Sequence, residues 1–523
     1  MKKYKTLIII FLISILSVLF FFFKLNQLPL NADEVTNAYD AYSILKTGHD
    51  QYDNFLPLRF KSFGDYKLPL LTYLAILWIK IFGLNELSIR LVNLPFVFLF
   101  PFIIFFLTYE LFQKKSISLI ASFLLAFAPG LQLLARQAHE GYLTAFFLTL
   151  GFYFFIKSIK TKNIIYYSLF IIIFLLSLFG YHSTRIFIGF FLIWITYFIY
   201  KKIFNLRHLL LFIIIIFIFL ITDILYAPTR VTNLFFFKND GFISKTKELQ
   251  NEAKNRFLYN EFIVGIKEIV NQYLIYFSPQ FLIIEGDKNY RFGFPGISPI
   301  TFIEYIFLFI GFYLLFKNKE KWRYFIISAL FFAPLSGSLT WAGQSITRTI
   351  FIFIPLLMIS SHGFYNFINK KNIIFYLILI TLYLILLFYS WEFYLYHYPK
   401  RAIVIRSLQA GYKELAKYIK ENYNKFNKFY ITKKNGQPYI FLLFYLKYPP
   451  EKYQKQAKLS NPDEYGFGQV NEFDKFYFET WPIKEKNKYV IIGYPDDFDL
   501  KNEKNLKEIK IGTETIFLIK EIK

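Results

Sequence analysis

Runs of about twenty apolar residues recur along most of this 523-residue chain, and they constrain its fold more than any other feature. Each run is long enough to cross a bilayer core of about 30 Å as a helix. Inside lipid the backbone must satisfy its own hydrogen bonds, which a helix does unaided. The expected class is therefore an α-helical polytopic membrane protein. Eleven spans fit best, near residues 7–24, 88–112, 116–135, 141–157, 164–180, 186–200, 208–226, 299–316, 324–340, 349–367 and 373–392. The first follows MKKYK, as a signal peptide would. It has no small-residue cleavage site, and its apolar run exceeds a usual signal core, so it reads as a retained span.

The basic residues set the topology. Lys2 and Lys3, Lys114 and Lys115, Lys157 to Lys162, Lys201 to Arg207, Lys317 to Arg323, and Lys370 and Lys371 fall in every second loop. Under the positive-inside rule those loops are cytoplasmic, which puts the N-terminus inside and the C-terminus outside. The net charge of +24 is read mainly through these loops rather than as a nucleic-acid footprint. Cysteine is absent, so disulfides and thiolate metal sites are excluded.

The segments left outside are 25–87, 227–298 and 393–523. Within the first, LPLLTYLAILWIKIFG (68–83) is short for a span, and counting it as one would invert the charge pattern of every later loop. It reads as a re-entrant or interfacial helix. The division expected is a transmembrane module over 1–392 and a small C-terminal α/β extracytoplasmic domain over 393–523. In the tail, LQAGYKELAKYIKENYNKF has helical period, and KFYIT, KYVIIGY, LKEIKI and TIFLIKEI read as strands. GFGQVNEFD lacks the strand–loop–helix context of a nucleotide fingerprint.

Chemistry-bearing residues cluster at the outer ends of the spans. In LPLNADEVTNAYDAY, Val35, Ala38, Tyr39, Tyr42 and Leu45 recur at helical spacing, with Asn31 as N-cap and Gly48 as stop. Asp33 and Glu34 then occupy the first turn, where acids complement the helix dipole and Glu34 can close a capping box with Asn31. That structural role competes with a catalytic one. Further polar residues follow: Tyr66 and Lys67 in GDYKLPL, Arg136, His139 and Glu140 in LLARQAHEGY, His182 and Arg185 in GYHSTRIF, and Arg348 in SLTWAGQSITRTI. Each alone fits an interfacial anchor or a snorkelling side chain. Together they suggest a cavity, because charges at membrane depth tend to face one. Lys67, Arg136, Arg185 and Arg348 suit phosphate oxygens, and Asp33 suits removal of a proton from a hydroxyl. A lipid-linked phosphosugar would match that set. Asp33, Glu34, His139 and Glu140 also have the donors for a hard divalent cation, although no ligand spacing requires one.

The order first span, NADE, YKLPLLTYL and GLNELSIR resembles the glycosyltransferase C superfamily. It is most similar there to bacterial protein mannosyltransferase-like enzymes and lipid A aminoarabinose transferases. FSPQFLIIEGDKNYRFG (277–293) resembles the long outer loop of that group. The resemblance covers roughly 1–392 and departs at Leu68, where relatives usually carry a second proline. It implies that Asp33 is the general base on the acceptor and that Glu34 shapes the site or binds metal. It also implies that Lys67 contacts the lipid phosphate, while the arginines line the site. The reaction implied is transfer of a hexose or pentose from a polyprenyl-phosphate donor to a protein, lipid or glycan hydroxyl, with inversion, in the plasma membrane. A lipid-linked glycan flippase, a glycan polymerase or ligase, and a non-enzymatic assembly protein are the rivals.

Overall fold

The computed structural model describes residues 2–63, 65–226, 237, 239–341, 343–368, 373–461, 470–478, 481, 487–501, 503 and 505–522. Lys370, Lys371 and the first four residues of GFGQVNEFD lie outside this set. The chain forms two compact units, and neither is continuous in sequence. Unit one comprises Met1–Phe23 and Asn93–Tyr394, and unit two comprises Lys24–Val92 and Leu395–Lys523. The segment 24–92, taken from sequence as part of the transmembrane module, thus belongs with the tail.

All eleven expected spans fall on helices. Among the described residues, seven helices are long and apolar enough to cross a membrane: Tyr4–Phe22, Glu86–Phe112, Glu140–Thr161, His182–Tyr200, Leu206–Leu225, Ile346–Ile368 and Ile373–Lys400. Lys115–Phe127 and Pro129–Arg136 make an eighth if the pair is one span bent by 48°. The bend has a local cause. Pro129 has no N–H to give to the preceding turn, and it pushes Ala128 out of the helical region, to φ −57°, ψ 118°. The other three expected spans are shorter helices: Ile164–Leu178, Phe302–Lys317 and Arg323–Phe332. The last stops before Pro334, so the single span expected over 324–340 is interrupted. The chain is a polytopic helical membrane protein with a small C-terminal sheet domain.

Unit one packs on aromatic rings and small residues. Phe152 on Glu140–Thr161 meets Phe187, Phe190, Phe191, Phe325 and Phe351, with ring centroids 4.9–5.9 Å apart. Phe302–Lys317 and Phe353–Ile368 approach so closely that a Cβ on Gly311 would collide with the Ile359 carbonyl, and one on Gly363 with the Phe307 carbonyl. Lipid offers no hydrophobic drive between helices, so such close van der Waals contact is a main source of their association.

Unit two begins with helix Ala32–Thr47. A two-stranded hairpin follows, β1 (Phe60–Ser62) and β2 (Asp65–Lys67), paired Phe60 to Lys67 and Lys61 to Tyr66. Next come Leu70–Phe82, the short apolar helix expected over 68–83, and Glu86–Arg90. The tail folds into seven strands in the order β4-β5-β6-β3-β7-β9-β8. The four strands expected there appear as β3 (Lys428–Ile431), β7 (Tyr489–Gly493), β8 (Lys507–Ile511) and β9 (Glu514–Ile522), and the expected helix as Tyr412–Asn422. β4 (Lys458–Leu459), β5 (Val470–Phe473), β6 (Phe476–Tyr477) and helix Pro438–Tyr445 are additions. The two parts of the unit are joined by hydrogen bonds from Tyr39 Oη to the Tyr448 carbonyl (2.8 Å) and from Gln454 Nε2 to the Asp50 carbonyl (2.8 Å).

Candidate active site

The acid pair sits where its sequence places it. Asn31 caps helix Ala32–Thr47, its side-chain oxygen accepting from the amides of Asp33 and Glu34 at 3.0 Å each. Glu34 returns the bond by accepting from the Asn31 backbone amide at 3.1 Å, and the capping box closes. Gly48 ends the helix in the left-handed region, at φ 76°, where a side chain would be strained.

The two neighbouring acids then part company. Glu34 turns inward, its side chain 3% exposed, and meets Arg90, whose Nε lies 3.3 Å from Oε1. Arg90 also donates to the carbonyls of Leu25 (2.7 Å), Leu28 (3.0 Å) and Pro29 (3.3 Å). One buried guanidinium thus fixes both the chain after residue 24 and the second acid. Burial pushes the Glu34 carboxyl up to about 7, against the downward pull of Arg90. Asp33 turns outward. Its side chain is 32% exposed, and Lys67 Nζ lies 2.7 Å from its Oδ1 and 3.3 Å from its backbone carbonyl. Lys67 itself is 13% exposed and 5.8 Å from the Phe63 ring centroid. The β1–β2 hairpin delivers it, with Tyr66 half-buried beside it. The site therefore offers an accessible carboxylate touching an ammonium, backed by a buried carboxyl–guanidinium pair. The first can exchange its partner for a substrate. The second is positioned to hold the turn still.

The acid pair does not present two carboxylates to one ion, since each is engaged by a different cation. Among the described residues no group of three or more histidines and acids is placed to hold a metal.

The remaining candidates lie in unit one. Arg136 is 1% exposed, and its guanidinium donates to the carbonyls of Phe20 and Phe21 (2.7 Å each) and Phe23 (2.8 Å), closing the end of the first helix. His139 caps helix Glu140–Thr161 by accepting from the Gly141 amide at 2.9 Å, and its Nδ1 lies 4.0 Å from Glu140 Oε2. The His139 ring meets Tyr181 and Phe292 at 5.4 and 5.1 Å. His182 is half-buried on the short turn His182–Arg185. Arg185 pairs with Asp223 at 2.9 Å, and Arg348 donates to Thr340 Oγ1 at 2.9 Å. Asp287, which sequence reasoning passed over, is 1% exposed and accepts from the amides of Asn289 (2.9 Å) and Ile346 (2.8 Å). It ties the segment 277–293 to the segment carrying Arg348. Burial raises its carboxyl above the usual range. Through His139, Tyr181, Phe292 and Asp287, four polar segments meet within this unit.

Arg90 was the other omission. GLNELSIR marked the turn but not its role, and the signal available was an arginine at the head of an apolar run, where a cation needs a partner.

No family model matches the chain, and no curated protein matches it. Several solved structures resemble it, each at low identity and with a TM-score under 0.5. One is the archaeal oligosaccharyltransferase AglB from Archaeoglobus fulgidus, solved with an inhibitory peptide and a dolichol-phosphate; identity is 14%, with 85% of this chain and 64% of that one covered, at a TM-score of 0.48. The chain thus spans less than two thirds of AglB's length. A further AglB structure, in complex with zinc and sulfate, matches at 13% identity over 83% and 61% of the two chains, TM-score 0.46. ArnT from Cupriavidus metallidurans bound to undecaprenyl phosphate matches at 10% identity over 97% of each chain, TM-score 0.47.

Proposed function

We propose that the chain is a membrane glycosyltransferase that moves a sugar from a polyprenyl-phosphate donor to a hydroxyl acceptor on the outer face of the membrane, with inversion at the sugar carbon. One observation carries this reading: Asp33 is an accessible carboxylate in contact with Lys67 at the start of the helix that follows the first span. A prenyl chain lying in the outer leaflet holds the reactive bond at the membrane surface, the depth at which this turn emerges in the N-in topology. The donor phosphate draws Lys67 Nζ away from Asp33, and the freed carboxylate takes the acceptor's O–H proton. The acceptor oxygen bonds to the anomeric carbon as the carbon–phosphate oxygen bond breaks. That bond's electron pair leaves on the phosphate, which Lys67 stabilises. The carbonyl contacts of Arg136 favour a positioning role for it. Tyr66, His139, Glu140, His182, Arg185 and Arg348 are proposed as contacts to the polar groups of the substrates. No step is routed through a divalent cation.

The test is transfer by purified wild-type and Asp33→Asn protein, matched for folded amount. Asparagine keeps the size of the side chain and suits a helix start. The catalytic reading expects inverted product from the wild type and a loss of about 10²-fold or more in the variant. Near-normal transfer by the variant would reduce Asp33 to a helix start. Donor translocation with no new glycosidic bond would make the protein a flippase.

A further inference from the structure

The sheet of the C-terminal domain contains two adjacent parallel strands whose chains leave in opposite directions. β3 pairs with β7 in parallel, Lys428 to Tyr489 through Ile431 to Ile492. Beyond Ile431 the chain runs to the β4–β5–β6 edge, and beyond Gly493 it runs to the β8–β9 edge. The two connections part at the strands' carboxyl ends and leave a crevice there, the place where open α/β sheets bind ligands. A cavity of about 290 Å³ occupies that position. Asn435 from the loop after β3, Tyr494 and Asp496 from the turn after β7, and Thr515 at the start of β9 line it, with Gln409 below.

The wall chemistry narrows the ligand. The charges around the mouth are already paired, with a net excess of one negative charge that does not favour an anionic ligand: Arg406 pairs with Glu514 at 3.1 Å, and Lys434 pairs with Asp496 and, at 3.3 Å, with Asp497. Two of the polar groups in the crevice are acceptors with spare capacity. Gln409 is 5% exposed, and its Nε2 donates to the Asn435 carbonyl at 2.7 Å, which leaves Oε1 buried with no hydrogen-bond partner among the described residues. The Thr515 hydroxyl spends its proton on Glu508 Oε2 at 3.0 Å and keeps its lone pairs. A buried acceptor without a partner costs roughly 1–3 kcal/mol and is relieved by a ligand that brings an O–H donor.

We infer that the crevice at the carboxyl ends of β3 and β7 binds a neutral, hydroxyl-rich ligand the size of one sugar ring, as a carbohydrate site separate from Asp33. The inference does not rest on the catalytic reading. It can be tested in the full-length protein in nanodiscs. The chain has no cysteine, so Thr515→Cys supplies a single thiol at the crevice and Thr513→Cys an exposed control. Glucose, galactose, mannose and N-acetylglucosamine serve as probes of maleimide alkylation, alongside saturation-transfer NMR on the unaltered protein. At about ten times its Kd, one of these sugars should slow alkylation at 515 about tenfold, because only the unliganded fraction reacts. It should leave 513 unchanged and should lose both signals in Gln409→Leu. Asp33→Asn should keep the protection even where it abolishes transfer. The inference is overturned if none of the four sugars gives either signal, if 513 is protected equally, if Gln409→Leu retains the signals, or if a short peptide protects 515 where the sugars do not.

Discussion

Replacing Arg90 by methionine removes the only cation holding Glu34 among the described residues, together with the donors to the carbonyls of Leu25, Leu28 and Pro29. Breaking a buried ion pair from one side costs about 3–5 kcal/mol, because the other charge stays buried. Protonation of Glu34 limits that cost. In the wild type its folded value is about 7 against an ordinary 4.5, so the shift is upward. An acid raised on folding contributes stability that is fully present below about 4.5 and is lost as pH rises through about 7, some 3 kcal/mol at about 1.4 kcal/mol per unit. Without Arg90 the value rises further, since that guanidinium was pulling it down. The wild type and Arg90→Met should therefore lose stability in parallel up to about pH 7, and above it the variant should fall behind by about 1.4 kcal/mol per unit. Hydrogen exchange of the first turns of helix Ala32–Thr47, corrected for intrinsic rates, reads this directly. At pH 8 the charge-dependent part should make exchange about tenfold faster in Arg90→Met, relative to any difference already present at pH 6, and the factor should grow about tenfold per further pH unit. Adding Glu34→Gln should remove the part of the loss that grows above pH 7 and flatten the pH profile. Exchange within a few-fold of the wild type at pH 8, or no recovery in the double variant, would refute the idea that a buried charge is what Arg90 restrains.

Other outcomes follow from the same geometry. Lys67→Met should raise the donor concentration needed for transfer more than it alters acceptor use, measured by varying each substrate in turn; unchanged donor dependence would make Lys67 a surface anchor. Gly311→Val should force apart helices Phe302–Lys317 and Phe353–Ile368 and cost about 1–3 kcal/mol or more, seen as a lowered unfolding temperature in detergent. Gly189→Ala, where a Cβ meets nothing within 4 Å, is the control and should change little. A reporter fused after Lys523, a residue outside the described set, should behave as extracytoplasmic.

The local parts of this structure were legible because local rules govern them. Asn31, Glu34 and Gly48 announced the start and stop of helix Ala32–Thr47 through cap chemistry that acts within four residues. The strands of the tail that are long and β-branched were likewise visible. β5 and β6 were not, because VNEF carries two polar residues between its apolar ends and FY is only two residues long, and PYIFLLFY is an apolar run that fits a buried strand as well as the helix it forms. The spans were located by hydropathy, but hydropathy does not register the loss of one amide at Pro129 or Pro334, where helices break. The inward turn of Glu34 and the outward turn of Asp33 depend on Arg90 and Lys67, which lie 56 and 34 residues away. Adjacent acids look alike until their partners are known. The grouping of 24–92 with the tail had no sequence signal at all.

That grouping carries a consequence for biogenesis. Residues 24–92 leave the ribosome about 300 residues before the segment that completes their unit, an interval of roughly 15–60 s at ordinary synthesis rates. Throughout it, Tyr39 lacks the Tyr448 carbonyl and Asp50 lacks Gln454. A helix with buried asparagine and aspartate on one side and tyrosines on the other must wait while the intervening spans insert. The early segment is thus a standing client for chaperones and a target for proteases. Premature termination anywhere before the tail would leave an orphaned half-unit rather than a smaller working protein.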